Sequence, residues 1–311
     1  MRRSVLALLS FAAIAAPAHA ATPPTATTAP ATNVGPLGAT LNGSVNPNGQ
    51  ATRVHFVWGR TTAYGNRTPN QDIGAGTTPV PVSASLTGLR SNTRYHFRVV
   101  AVNILGRSFG GDRTFKTAPP TTTLSFTPNP AVFTHPFTVS GQLVGSGAGH
   151  APVVLLGRPF PFTASFAQVG NAVISNPDGT YSFAITSASI TTQFQVKANT
   201  NPRFTSAVAT LRVASLISLH VRSHVRRGHL LRFSGTVLPA QDGLIVKIQK
   251  RDRAGNFHTV AHTRLRHANA FKSTYSRRLR IKRRGTYRTE VVSAGAAVYP
   301  GFSPARRIRV T

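Results

Sequence analysis

Cysteine is absent from the 311 residues of this chain. Its absence excludes disulfides, thiolate metal sites, cysteine nucleophiles and a lipid-modified cysteine together. Any domain must then be held by its core alone, which segments of about 100 residues can do because they bury well over half of their unfolded surface. Acids are nearly as scarce, with six Asp and Glu against 36 Lys and Arg and a formal net charge of +30. A glycosidase needs two carboxylates facing one bond. Asp72, Asp112, Asp242 and Asp252 all sit in stretches that read as turns, and Asp178-Gly179 and Asp242-Gly243 are turn pairs. The chain has no Gly-x-Ser-x-Gly elbow. It also has no Gly-Lys pair, so the Gly-rich 145–149 segment reads as an inter-strand loop rather than a phosphate cradle. After the first twenty residues no run is long and apolar enough to span a bilayer. The composition therefore predicts a protein with no cofactor and no enzymatic machinery.

What the chain does contain is a repeat. Leu41-Asn42-Gly43-Ser44-Val45, Val139-Ser140-Gly141-Gln142-Leu143 and Phe233-Ser234-Gly235-Thr236-Val237 share one pattern of apolar, small polar, Gly, polar and apolar residues. A second echo joins Tyr95 to Val99, Phe194 to Ala198 and Tyr287 to Val291, and Tyr181 and Tyr275 stand 94 apart. A period near 95 is too long for a solenoid and matches one β-sandwich. Short alternating runs rich in β-branched and aromatic residues, separated by turns such as Asn176-Pro177-Asp178-Gly179 and Ala254-Gly255-Asn256, agree with this. The predicted fold class is all-β, as three tandem sandwiches.

The N-terminus reads as an address. Arg2 and Arg3, an apolar run over Val5 to Ala16 and a small-x-small site at Ala18-His19-Ala20 form the pattern of a secretory signal peptide over 1–20. The expected location is secreted, extracellular or associated with the cell envelope, with no transmembrane segment after cleavage. Residues 21–32, rich in Thr and Pro, are expected to be a solvated spacer, and Thr117 to Thr122 a second one. The domains then run 33–118, 119–214 and 215–311, the last two joined by a short apolar junction. Positive charge is concentrated in the third, where 21 Lys and Arg face only Asp242, Asp252 and Glu290.

The first domain resembles a fibronectin type III module of bacterial secreted proteins. The resemblance rests on Ala39 to Gly49 and on Leu86 to Asn103. It implies that Leu89, Thr93 and Tyr95 form a corner in which the Tyr hydroxyl bonds the preceding backbone, and that Val99 and Ala101 are core. Trp58 stands on a strand where related modules often carry Tyr. The second and third domains are similar to immunoglobulin-like modules of bacterial surface proteins. Such modules serve as spacers, adhesins or attachments to enzymes and carry no chemistry themselves, and fold alone does not give function.

Histidine offers a false lead. His220 and His224 have metal-ligand spacing for a helix, but the local pattern is strand, where four residues span roughly 13 Å and two rings cannot reach one ion. The basic cluster remains. Alternation over Arg278-Leu279-Arg280-Ile281-Lys282 points Arg278, Arg280 and Lys282 outward in a row that Arg283 and Arg284 extend. Lys250, Arg251 and Arg253 lie near a hairpin turn, and Arg306 and Arg307 are near the end of the chain. One reading is a solvated face that blocks edge pairing. The other is contact with an anionic envelope polymer, a glycan or lipid head groups. Specific nucleic-acid binding is not expected, because the face lacks aromatics for base stacking. The alternative class is a carbohydrate-binding accessory protein of an extracellular hydrolase, or a hydrolase with a hidden site. A groove lined by Trp58 and Tyr64 would favour carbohydrate.

Overall fold

A computed structural model of the chain describes residues 22–292, 295 and 297–311, so the expected signal peptide lies outside the described residues. The elements are all strands. One compact unit ends at Pro119 and a second runs Pro120–Thr311. The first is one β-sandwich and the second holds two.

In the first unit, Thr25–Thr32, Ala39–Asn46 and Val80–Leu86 form one sheet. The other is built on Arg53–Gly59 and Arg94–Asn103, flanked by Gly106–Phe109 and Arg113–Lys116. Burial alternates strictly along Ala39–Asn46, as a strand with one face in a core requires. Leu41, Val45 and Val82 from the first sheet meet Val54, Phe56, Phe97 and Val99 from the second.

The expected spacer over 21–32 is corrected here. Thr25–Thr32 is a strand, paired antiparallel with Ala39–Asn46. Thr28 is buried, its hydroxyl accepts from the Val99 amide at 3.2 Å and its carbonyl accepts from Arg113 Nε at 2.9 Å. Threonine is β-branched and suits a half-buried pleat. Pro30 is tolerated because the strand lies at a sheet edge and the register shifts there, between Ala29 and Thr32. The second expected spacer, over 117–122, holds the boundary between the units at Pro119 and Pro120 but is shorter than expected. Thr117 is buried in the first unit, and Thr121–Thr122 pairs with Leu143 and Val144 in the second.

The first sandwich of the second unit sets Phe137–Val144 and Thr180–Ile185 against Pro152–Pro159 and Thr192–Ala198. The second sets Leu230–Leu238 and Lys272–Arg280 against Ile245–Arg251 and Gly285–Val291. Both add a parallel pair typical of immunoglobulin-like sandwiches: Ala131 with Val213, and His224 with Arg309. Backbone bonds join the two, from Thr191 N–H to Ala297 O at 2.9 Å and from Tyr299 N–H to Val213 O at 2.7 Å.

The repeat has a packing cause. Gly141 pairs with Tyr181 and Gly235 with Tyr275 in register. A Cβ on Gly141 would overlap the Thr123 carbonyl oxygen, and one on Gly235 the Ser218 carbonyl oxygen. The paired tyrosine hydroxyls donate to those same carbonyls, Tyr181 to Thr123 and Tyr275 to Ser218 at 2.7 Å. Each glycine therefore lets the opening segment of its sandwich cross closely enough for the tyrosine to clasp it. In the first unit Gly43 faces the Thr27 carbonyl, but its register partner is Val82 and the clasp is missing. The second echo falls on Arg94–Asn103, Thr192–Ala198 and Gly285–Val291, each paired along the strand across the middle of its sheet.

Candidate functional site

A hairpin and a turn between two sheets build a strongly basic concavity. The first joins Ile245–Arg251 to Phe257–Arg264. Its turn is tied by Asp252, whose carboxylate accepts the Asn256 amide at 2.8 Å and meets His258 Nε2 at 2.5 Å. Arg251 Nε closes the turn on the Gly255 carbonyl at 3.1 Å. The second is the turn through Ile281 to Arg284, which carries the chain from Lys272–Arg280 in one sheet to Gly285–Val291 in the other. Ile281 is buried and anchors it, while Lys282, Arg283 and Arg284 stand in solvent. The Lys250 stem lies against Gly285, with Nζ 5.6 Å from the Tyr287 ring centroid.

Lys250, Arg251 and Arg253 from the hairpin thus share a cavity of about 950 Å³ with Lys282, Arg283 and Arg284 from the inter-sheet turn. Arg227 joins them from a third segment, held by its amide on Thr311 O at 2.9 Å. Seven cations share this cleft with one acid. That acid, Asp252, is committed to its own turn. The hydrogen bond from His258 holds its carboxyl below the usual carboxylate range, helped by the Asn256 amide. It stays ionised to lower pH as a turn brace, and its single charge offsets only one of the seven cations. Such a concentration of like charge in a concavity focuses potential on an incoming anion.

Of the sequence-predicted residues, the cleft gathers Lys250, Arg251, Arg253, Lys282, Arg283 and Arg284. Arg280 lines an adjoining recess of about 400 Å³ with Leu279 and Tyr287, and its guanidinium donates to Gly228 O at 3.1 Å. The expected row is divided, because Arg278 sits opposite Arg232 in register and faces another concavity with Arg222 and Arg226. Arg306 and Arg307 border a third, with Arg222 and Arg232. Arg227 had no local signal in the sequence, since only the tertiary fold brings it to the hairpin and the inter-sheet turn. Arg232 was legible, because Leu231 and Phe233 flank it as core residues.

His220 and His224 diverge as strand spacing demands. The first bridges to Ser234 in one sheet and the second pairs with Arg309 in the other. Among the described residues no group of three His, Asp or Glu could hold a metal ion. Each acid has its own partner: Arg53 for Asp72, Tyr64 and His96 for Asp112, Thr180 for Asp178, Ser273 and His267 for Asp242, and Gln249 for Glu290. No described helix is long and apolar enough to cross a membrane.

The corner implied for the first domain is present. The Arg90 amide donates to Tyr95 Oη at 3.0 Å, and Leu89 and Tyr95 are buried. Trp58 is half-buried, its ring centroid 5.8 Å from that of Tyr95, which stacks in turn on Phe115 at 5.6 Å.

No protein-family model matches the chain, and no curated protein matches it. Solved structures do. The tetra-tandem repeat in the extending region of a large adhesion protein is 16% identical and covers 92% of this chain and 74% of its own, with a TM-score of 0.26. The FN1–FN3 domains of chicken CNTN1 are 13% identical over 93% of this chain and 100% of theirs, with a TM-score of 0.26. The sensor domain of the anti-sigma factor RsgI4 from Pseudobacteroides cellulosolvens is 20% identical over 30% of this chain and 88% of its own, with a TM-score of 0.25. Likeness at these scores carries no weight for function, and the fold stands on the sheets and cores described above.

Proposed function

We propose that this chain is a non-enzymatic, exported or envelope-associated binding protein whose most basic sandwich holds an anionic polymer by charge. One observation supports this most. Seven basic side chains from three separate segments converge on a single cleft whose only acid is tied into its own turn. A surface that served solubility alone would intersperse both signs. The ligand is a repeating polyanion, such as a polyol phosphate or sulfated glycan, because the cations line an open cleft rather than encircle one small ion.

The test is binding of the full chain to heparin and to a poly(glycerol phosphate) across a salt series. Contact with a dense polyanion releases counterions, so affinity should fall steeply, by about a thousandfold between 50 and 200 mM salt for roughly six contacts on the scale known for DNA. Changing Lys282, Arg283 and Arg284 together to Ser should flatten that slope and leave the fold intact, since all three are exposed. The matched change of Arg278, Arg306 and Arg307 should flatten it less. Equal effects of the two triple variants would reduce the cleft to part of a diffuse field. Binding indifferent to salt would remove the electrostatic reading altogether.

A further inference from the structure

The first sandwich carries a second, chemically different concavity. It measures about 620 Å³ and lies around Trp58, Tyr64, Arg60 and Arg90. Its walls are built on one buried residue. Tyr95 supports the indole of Trp58 with its ring and receives the Arg90 amide with its hydroxyl. The Arg90 carbonyl is also fixed, accepting from Thr117 Oγ1 at 2.6 Å. The opposite wall is a loop folded back on the Arg53–Gly59 strand. Only glycine fits at position 59, because a Cβ there would overlap the Tyr64 carbonyl. Tyr64 sits at φ +61°, its hydroxyl donates to Asp112 at 2.9 Å, and the Arg98 guanidinium lies 4.9 Å from its ring centroid. Its aromatic ring is therefore positioned before any ligand arrives, which lowers the ordering cost of binding.

Two side chains in this frame have no task in the fold. Arg60 and Arg90 are exposed, and neither guanidinium has a partner among the described residues. Beside them stand the half-buried indole of Trp58 and the exposed Asn66 amide. An aromatic face is electron-rich and meets the C–H side of a pyranose ring. An arginine fork matches a carboxylate in two parallel hydrogen bonds.

We propose that this concavity is a saccharide subsite that takes a sugar bearing a carboxylate, with Trp58 as the stacking platform and Arg60 and Arg90 as the carboxylate anchors. It does not rest on the polyanion reading of the basic cleft. That cleft offers charge with no exposed aromatic platform, whereas this groove offers an aromatic surface with only two free cations. The expected ligand is thus an acidic glycan recognised by ring shape and carboxylate together.

Trp58 is the one tryptophan of the chain and lines this groove, so intrinsic tryptophan emission reports on the groove, whereas no tryptophan lines the basic cleft. The experiment titrates the full chain with an oligogalacturonate, with the neutral galactose oligomer of the same linkage, and with inorganic polyphosphate. A saturable emission change is expected with the oligogalacturonate, at least tenfold weaker affinity for the neutral oligomer, and no emission change with polyphosphate. Arg60→Ser with Arg90→Ser should weaken oligogalacturonate binding at least tenfold at unchanged melting temperature. Trp58→Phe keeps a ring against Tyr95 and should weaken binding by a smaller factor, read by calorimetry. Emission unmoved by the oligogalacturonate would overturn the subsite. Equal affinity for the neutral oligomer would overturn the carboxylate anchors, and an equal response to polyphosphate would reduce the groove to charge alone.

Discussion

Tyr275 offers a prediction in which stability and pH can be worked together. The residue is 2 % exposed, its hydroxyl donates to Ser218 O at 2.7 Å, and Thr289 Oγ1 lies 2.9 Å away. Burial disfavours the phenolate and pushes its pKa from 10.0 up to about 12, with the Thr289 hydrogen bond opposing in part. A group whose folded pKa is raised stabilises the fold fully below its unfolded pKa, and that contribution is lost as pH rises through the folded value. The window here is pH 10 to about 12. A shift of this size, at about 1.4 kcal/mol per unit, corresponds to a loss of roughly 2 to 3 kcal/mol across the window. Tyr275→Phe should cost about 1 to 2 kcal/mol at neutral pH, because a hydrogen bond is lost and the Ser218 carbonyl is left short of a donor. The variant has no phenol to ionise, so its stability should not carry this slope. The two curves should therefore cross near pH 11, above which the variant is the more stable protein. Urea unfolding of the full chain, wild type against variant in steps from pH 8 to 12, measures this. Phenolate absorbance should show the amplitude missing from the variant titrating about two units above an ordinary phenol. Parallel stability curves, or a wild-type phenol at 275 that ionises near pH 10, would refute the reasoning.

Two further outcomes follow from the same packing. Tyr95→Phe should destabilise the first sandwich by about 1 kcal/mol, the usual size of one buried hydrogen bond, because the Arg90 amide loses its acceptor; an unchanged Trp58 emission melt would show the hydroxyl to be idle. Gly235→Ala should cost the second unit about 1 to 3 kcal/mol, in the range of overpacking, since the new methyl would overlap the Ser218 carbonyl and crowd Tyr275; wild-type stability in urea would mean that the crossing segment yields without strain.

The triple echo was enough to read three sandwiches, and its cause is local. Strand alternation exposes core positions to inspection, and a glycine required by a backbone crossing leaves a fixed mark at Gly43, Gly141 and Gly235. The Tyr95 corner was legible only through the resemblance to a fibronectin type III module, which Leu89, Thr93 and Tyr95 carry within one short run. The Thr25–Thr32 strand was misread because an edge strand with one buried side chain has almost no apolar period, and its Pro and Thr mimic a linker. The basic cleft was only half legible. Charge density showed which sandwich carries the cations, and alternation showed which side chains point outward. Which of them share one concavity depended on how one hairpin, one inter-sheet turn and the Arg227 segment meet across about 55 residues of sequence. That was a tertiary decision, and it sent Arg278, Arg306 and Arg307 elsewhere. The groove at Trp58 shows the same division. Composition announced a lone tryptophan, but only the fold-back of Tyr64 onto Gly59 and the anchoring of Arg90 on Tyr95 set two free guanidiniums beside it, because side chains from different strands and loops converge only once the sheets are packed.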